Sequence, residues 1–246
     1  MVDETIASTA TLIAGGEVIK LTLLEKVSPA NKLVFKLKVL YEDEYLAAIH
    51  KPAGILVSGN RFKTIANALS QNIKASNLSN TTIPQPVHRL DYATTGVLLV
   101  GKTSSGIRVL NKMFEDKAIA KTYYAVTIGK MHDNGKITSE IDGKQALSNY
   151  RLLDSVPSQR FGKLNLVQLK PQTGRRHQLR QHLSSIGNPI LGDKTYGIEG
   201  LILKGKGLYL HAHSLEFEHP LSKEKMCFSD GFPMRFKKIF PESAFE

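Results

Sequence analysis

The sequence predicts an α+β fold, a mixed and mainly antiparallel sheet flanked by helices. Short stretches of period-two alternation recur along the chain, while helical spacing is confined to a few windows. The two kinds do not alternate regularly, as a parallel sheet with crossover helices would require. Val18–Leu24 reads as the first strand. Lys32–Leu40 alternates best, with Leu33, Phe35, Leu37 and Val39 on one face and Lys32, Lys36 and Lys38 on the other. The turn-rich Lys26–Asn31 between them marks the domain boundary. Tyr45–His50 is a strand, stopped by Lys51-Pro52-Ala53-Gly54 and resumed over Ile55–Val57. Residues 64–73 read as a helix through Ile65, Ala68, Leu69 and Ile73, and 75–86 as a polar loop ending in prolines. Val97–Val100 is a buried strand, and 104–116 a helix on Ile107, Leu110, Met113 and Phe114. Lys121–Gly129 and Lys163–Lys170 are strands. Residues 176–186 form a helix with Leu179, Leu183 and Ile186 on its core face. In the strand Leu208–Glu218, Leu208, Leu210 and Ala212 alternate with His211 and His213, and 233–240 closes as a short helix.

Composition narrows the function. The 246 residues are 41% hydrophobic and 22% charged, which describes a globular chain rather than a disordered, collagen-like or coiled-coil one. Cys227 is the only cysteine, excluding an internal disulfide framework and every multi-cysteine zinc site. No apolar run nears the ~20 residues of a membrane span. The start of the chain lacks the order of a signal peptide, so a cytoplasmic protein without membrane attachment is expected. With 33 Lys and Arg against 22 Asp and Glu, the formal charge is +11. That excess suits a polyanionic partner or general solubility equally, until basic residues are found gathered around a site.

Gly96-Val-Leu-Leu-Val-Gly101-Lys102-Thr103 satisfies the phosphate-loop pattern G-x-x-x-x-G-K-[ST]. A phosphate loop follows a strand and keeps its spacer residues free, so that backbone N–H groups wrap phosphates. Here the preceding stretch, Asp91–Thr95, is polar and the spacer is Val-Leu-Leu-Val, the composition of a buried strand. The better reading is a core strand leading into a helix, with no nucleotide cofactor.

Three polar clusters remain. His88-Arg89-Leu90-Asp91 sets an imidazole, a guanidinium and a carboxylate ahead of that strand. A carboxylate held there by a cation can act as nucleophile or base, or it can simply cap a turn. Thr173-Gly174-Arg175-Arg176-His177-Gln178-Leu179-Arg180 places three arginines at the start of a helix. That end already carries positive potential, so the cluster suggests a resident anion, although a solvated basic face fits this segment alone. His177 and His182 splay apart on a helix, and His211 and His213 lack a third ligand, so neither pair suggests a metal. Tyr123 and Tyr124 fall on opposite faces of their strand, one for the core and the other free to stack on a base or to sit idle at an edge.

Together the clusters resemble the RluA family of RNA pseudouridine synthases. Five stretches carry the resemblance in order. They are Lys51–Gly54; His88–Asp91 with Thr94–Leu99; Lys121-Thr-Tyr123 with Ala125; Thr173–Arg180; and Gly187–Asp193 with Tyr196-Gly197. A weaker sixth is Leu210–Ala212 with Leu215, Phe217, His219 and Pro220, so the match spans about residues 41–220. The family's Thr-Ser-Gly is Thr94-Thr95-Gly96 here, and its Gly-Arg-Thr-His is Gly174–His177.

The resemblance implies a pseudouridine synthase catalytic domain over 32–246, with an active-site cleft between two sub-domains. Residues 1–31 are then an extension, in which Thr9–Leu21 resembles the last hairpin of a small RNA-binding domain. Such enzymes isomerise uridines in structured RNA without cofactor or metal. By resemblance Asp91 is the catalytic aspartate, attacking the sugar or removing the proton beside it. Arg180 keeps it charged and oriented, and Tyr123 stacks on the uracil and takes part in C5 proton removal. Arg89 fills the space left by the flipped base, while His88, Arg175, Arg176 and His177 meet the RNA, mainly its phosphates. Ribosomal RNA is the first expectation for the substrate and transfer RNA the second, with a monomer sufficing. The competing readings are a transfer-RNA-specific enzyme, a non-catalytic RNA-binding factor on the same fold, and the nucleotide hydrolase that the phosphate-loop pattern would suggest.

Overall fold

The computed structural model describes residues 1–8, 10–20, 33–203 and 205–241. The chain divides into two compact units, Met1–Lys32 and Leu33–Glu246. In the first, Val2 bridges Thr5 and Ile19, and Asp3 Oδ1 accepts from the Val18 N–H at 2.9 Å. Of the strand expected over 18–24, the described part makes one bridge, at Ile19. Its remainder and the turn expected over 26–31 lie outside the described residues.

The second unit is built on strands β1 (Lys38–Glu42), β2 (Leu46–Lys51), β3 (Thr81–Pro86), β4 (Thr95–Thr103), β5 (Ala120–Ile128), β6 (Asn134–Ile141), β7 (Lys144–Ser158), β8 (Gly162–Pro171), β9 (Leu210–Glu218) and β10 (Lys225–Ser229). Helices α1 (Ile65–Leu69), α2 (Ser104–Glu115), α3 (Gln178–Ser185) and α4 (Met234–Lys237) lie between them in sequence or follow them. One sheet runs β1-β2-β4-β9-β5-β8-β7-β6, with β3 added to β4 and β10 to β9. Among the described residues every strand pairing is antiparallel except β4 with β9. That seam consists of two residue pairs, Thr95 with His211 and Gly96 with Ala212. Gly96 is required there: at φ +118°, a Cβ would lie 2.0 Å from the Ala212 carbonyl oxygen.

The sheet buries three apolar clusters. Ile49, Ile65, Leu69 and Leu98 pack α1 on the β2–β4 half. Leu46, Leu99, Leu110 and Phe228 pack around α2. Val126, Leu166, Leu183 and Phe236 fill the β5–β8 half under α3 and α4. The phosphate-loop pattern is β4 itself, paired with β2 from Leu46 to Lys51. Its backbone is committed to a ladder, and the buried Lys102 ammonium meets Glu42 at 2.8 Å.

Several expectations needed correction. Residues 81–86 are a strand, not a loop; Pro84 and Pro86 are tolerated because β3 pairs only with β4, at the sheet's margin. Leu33–Leu37 alternate in exposure but precede the ladder, which begins at Lys38. Residues 55–57 do not resume a strand; Leu56 makes a lone bridge to Thr64. The helix expected over 64–73 is five residues long, capped by Thr64. Ile186 is exposed rather than core, and His211 is fully buried although it alternates with leucines.

Candidate active site

A cleft of about 580 Å³ opens where the turn before β4, the start of β5 and the segment leading into α3 converge. All eight predicted site residues line it: His88, Arg89, Asp91, Tyr123, Arg175, Arg176, His177 and Arg180. The basic residues that left +11 ambiguous are in part gathered here.

Asp91 sits in a turn held from below. Lys51, fully buried at the end of β2, donates to the carbonyls of Thr94 at 2.8 Å, Pro52 at 2.9 Å and Tyr92 at 3.3 Å. Burial pushes its ammonium down to about 8, with the charge of Asp91 opposing. The Gly54 N–H adds a bond to the Tyr92 carbonyl at 2.8 Å. Lys51 and Gly54 thus grip the turn from the Lys51–Gly54 stretch, to which sequence reasoning gave no role. A lysine closing an apolar strand was the available signal.

Arg180 lies 3.5 Å from Asp91 through Nη1 and Oδ2. Its main partner is Asp193, met in a bidentate pair at 2.7 and 2.8 Å. Burial works against the guanidinium's charge, but the Asp193 bonds and the charges of Asp193 and Asp91 outweigh it and raise its value. Asp193 also accepts from the Thr195 and Tyr196 N–H groups, and Tyr196 stacks 5.0 Å from the Arg180 guanidinium carbon. No pairing between Asp193 and Arg180 could be read from the sequence, because the two lie thirteen positions apart with the chain folding back between them.

The arginine segment departs from expectation. Helix α3 starts at Gln178, and Arg175 and Arg176 belong to the preceding turn rather than to the helix. His177 caps it in left-handed backbone, φ 53°, an arrangement that β-carbon-bearing residues resist. Its Nδ1 meets the Tyr196 hydroxyl at 3.1 Å, and its Nε2 lies 3.9 Å from Asp91. Burial, offset by Asp91 but reinforced by Arg180 and Arg176, lowers its value and favours the neutral ring. Gln178 fastens the turn: Oε1 accepts from the Arg175 N–H and Thr173 hydroxyl, and Nε2 donates to the Leu147 carbonyl and Ser148 hydroxyl.

Tyr123 sits at a bulge where the β5–β9 register shifts, a device that re-aims a side chain. Burial, together with the charge of Asp91, pushes its hydroxyl well above the ordinary range, so it stays protonated. Tyr124, on the other face, is core. His88 lines the cleft and is also tied to β4. Its Nε2 accepts from the Leu99 N–H at 2.9 Å, its ring stacks on Phe114, and burial with the nearby Lys121 pushes its value down to about 3. Arg89 is exposed on the rim.

Residues 45–185 match the RNA pseudouridylate synthase family. The chain belongs to the RluA family of RNA pseudouridine synthases. It is 37% identical over 235 residues to the ribosomal large subunit pseudouridine synthase D of Borreliella burgdorferi, covering 87% of this chain and 69% of the relative. It is 33% identical over 231 residues to the tRNA pseudouridine synthase C of Pectobacterium carotovorum, covering 77% of this chain and 57% of that protein. The solved structure of human RNA pseudouridylate synthase domain containing 4 superposes with a TM-score of 0.65 at 25% identity, over 81% of this chain and 90% of that one. The fold is thus that of the pseudouridine synthases. The protein is an RNA pseudouridine synthase, an isomerase with an RNA substrate. Among the described residues no helix is long and apolar enough to cross a membrane.

Proposed function

We propose that this pseudouridine synthase works on a uridine flipped out of structured RNA, with Asp91 as its catalytic residue. The observation that carries the reading is the juxtaposition in one cleft of Asp91, the Arg180 guanidinium at 3.5 Å and Tyr123. In the reaction the N1–C1′ bond breaks, the uracil turns, and C5 bonds to C1′. C5 then loses its proton while N1 gains one. Asp91 either bonds to the sugar carbon and is later displaced, or removes the proton beside it and later returns it. In both routes Arg180 orients the carboxylate and supplies positive charge beside it. Tyr123 stacks on the base and takes part in removing the C5 proton. Arg89, on the rim, replaces stacking lost when the nucleotide leaves its helix, which costs a few kcal/mol. Arg175 and Arg176 meet phosphates.

Ribosomal RNA is the proposed substrate, since the large-subunit enzyme of Borreliella burgdorferi is similar over most of both chains. The likeness to a tRNA enzyme carries the second reading, a transfer RNA target. Pseudouridine mapping of total RNA with and without the protein tests both. New sites in ribosomal RNA support the first reading, sites confined to transfer RNA overturn it in favour of the second, and RNA binding without new sites would sink catalysis altogether.

A further inference from the structure

The cleft has a second basic wall, which the reading above leaves unused. Lys117 ends α2. Its N–H donates to the Phe114 carbonyl at 3.3 Å, and that of Ala118 to the Met113 carbonyl at 2.9 Å. These are the paired bonds of a Schellman helix end, whose left-handed position favours glycine. Lys117 holds that position at φ 61° and lines the cleft. A cation gains from the negative end of a helix. Lys112, however, already serves α2 there, bonded to Asp116 at 2.8 Å. Four residues on, Lys121 in β5 lines the same wall, half-buried. Among the described residues its ammonium has no hydrogen bond or ion pair, and the carboxylate on this wall, Glu115, is met by Lys112 at 3.5 Å. Burial and the neighbouring Lys117 both lower the Lys121 ammonium's value. The adjacent His88, held neutral against Phe114, neither compensates nor competes. Half-burying a cation without a counterion beside a second cation is unfavourable, and an anion brought by a ligand removes the conflict.

We infer that Lys117 and Lys121 form a phosphate-binding subsite on the α2–β5 wall, taking a phosphodiester group of the RNA strand that presents its nucleotide to Asp91. The inference rests on the reading that this cleft holds RNA. It adds a grip apart from Arg175 and Arg176, so that the strand is held on two sides of the reacting nucleotide.

Titration of the full chain with substrate RNA over a salt series tests it. Lys121→Met and Lys117→Gly should each lower the slope of log affinity against log salt by about 0.7–0.9, weakening unrelated RNAs alike. Lys121→Arg should restore the slope. Lys117→Gly should at the same time raise Tm, because it relieves the left-handed strain, which separates a lost phosphate contact from a damaged fold. Unchanged slopes in both variants overturn the inference, whatever the turnover. A wild-type chain that binds RNA with a steep salt dependence yet forms no pseudouridine overturns the proposed function instead, and the slopes of the variants still decide the subsite.

Discussion

Asp91 and Arg180 reach the cleft from the two halves of the sheet, and each is held by a different kind of bond. On the β2–β4 half, a single buried ammonium, Lys51, collects three backbone carbonyls and fixes the shape of the Asp91 turn. On the other half, Arg180 is fixed by a side-chain carboxylate, in a bidentate pair with Asp193. The carboxylate proposed to react is therefore positioned through its backbone, with its oxygens left to the cleft. The guanidinium that supports it is positioned through its own head group, with one nitrogen left to face Asp91. A reacting group has to change partners during turnover, and a supporting group should not.

Substitutions can break this contrast in order of severity. Asp91→Asn removes the reacting group and nothing that holds the turn. Pseudouridine formation should fall by about 10³-fold or more with Tm unchanged, and retained turnover in quantitative mapping would refute the assignment. Asp193→Asn leaves Arg180 buried without its charge partner. Denaturant unfolding should show a loss of about 3 kcal/mol, and turnover should fall with it although Asp91 itself is untouched. Lys51→Met removes three hydrogen bonds to carbonyls but also a desolvated cation, so the stability loss should be smaller, about 1–2 kcal/mol. Its signature should be a fall in kcat exceeding the change in RNA affinity. If Lys51→Met proved as damaging as Asp193→Asn in the same unfolding assay, the two halves would be held alike.

A further effect is a pH dependence at the seam between the halves. His211 is fully buried, bonded to Thr95 through Nδ1 at 2.9 Å and facing Asp230. Burial pushes its value down to about 4, against the opposing charge of Asp230. Unfolded histidine titrates near 6.5, so between these values the unfolded chain binds the extra proton. Stability should then fall as pH falls through that window, by roughly 1.4 kcal/mol per pH unit at most. His211→Asn should lessen the slope measured by urea unfolding, the buried His88 still contributing to it.

The parts of the site that were legible in the sequence are those whose residues are contiguous. His88–Asp91 and Thr173–Arg180 each carry their chemistry within a short run of chain, and the structure brings both to one cleft. What could not be read is the support. Asp193 reaches Arg180 across a folded turn, and Lys51 acts on main-chain carbonyls that carry no side-chain signature. In the fold, continuous apolar runs such as β4 are legible, whereas the alternation of Leu33–Leu37 precedes the ladder and β3 is hidden by its prolines. The β6–β7 hairpin was passed over despite Asp142-Gly143, whose φ angles of 51° and 71° are those of a tight hairpin turn. The Nε2 bond of His88 to the Leu99 N–H has no signature in the sequence, since a histidine beside an arginine looks the same with or without it.

The β4–β9 seam has a consequence for the order in which this enzyme is made. Thr95 and His211 are 116 residues apart in sequence, whereas β1–β2, β7–β8 and β9–β10 are hairpins closed over short loops. Closing a long loop is entropically costly and is repaid only once distant contacts form. Those hairpins can therefore form well before Gly96 meets Ala212. Until the long-range pairings of β4 and β9 close, Asp91 and Arg180 are not held together, so catalytic competence should be among the last properties a newly synthesised chain acquires.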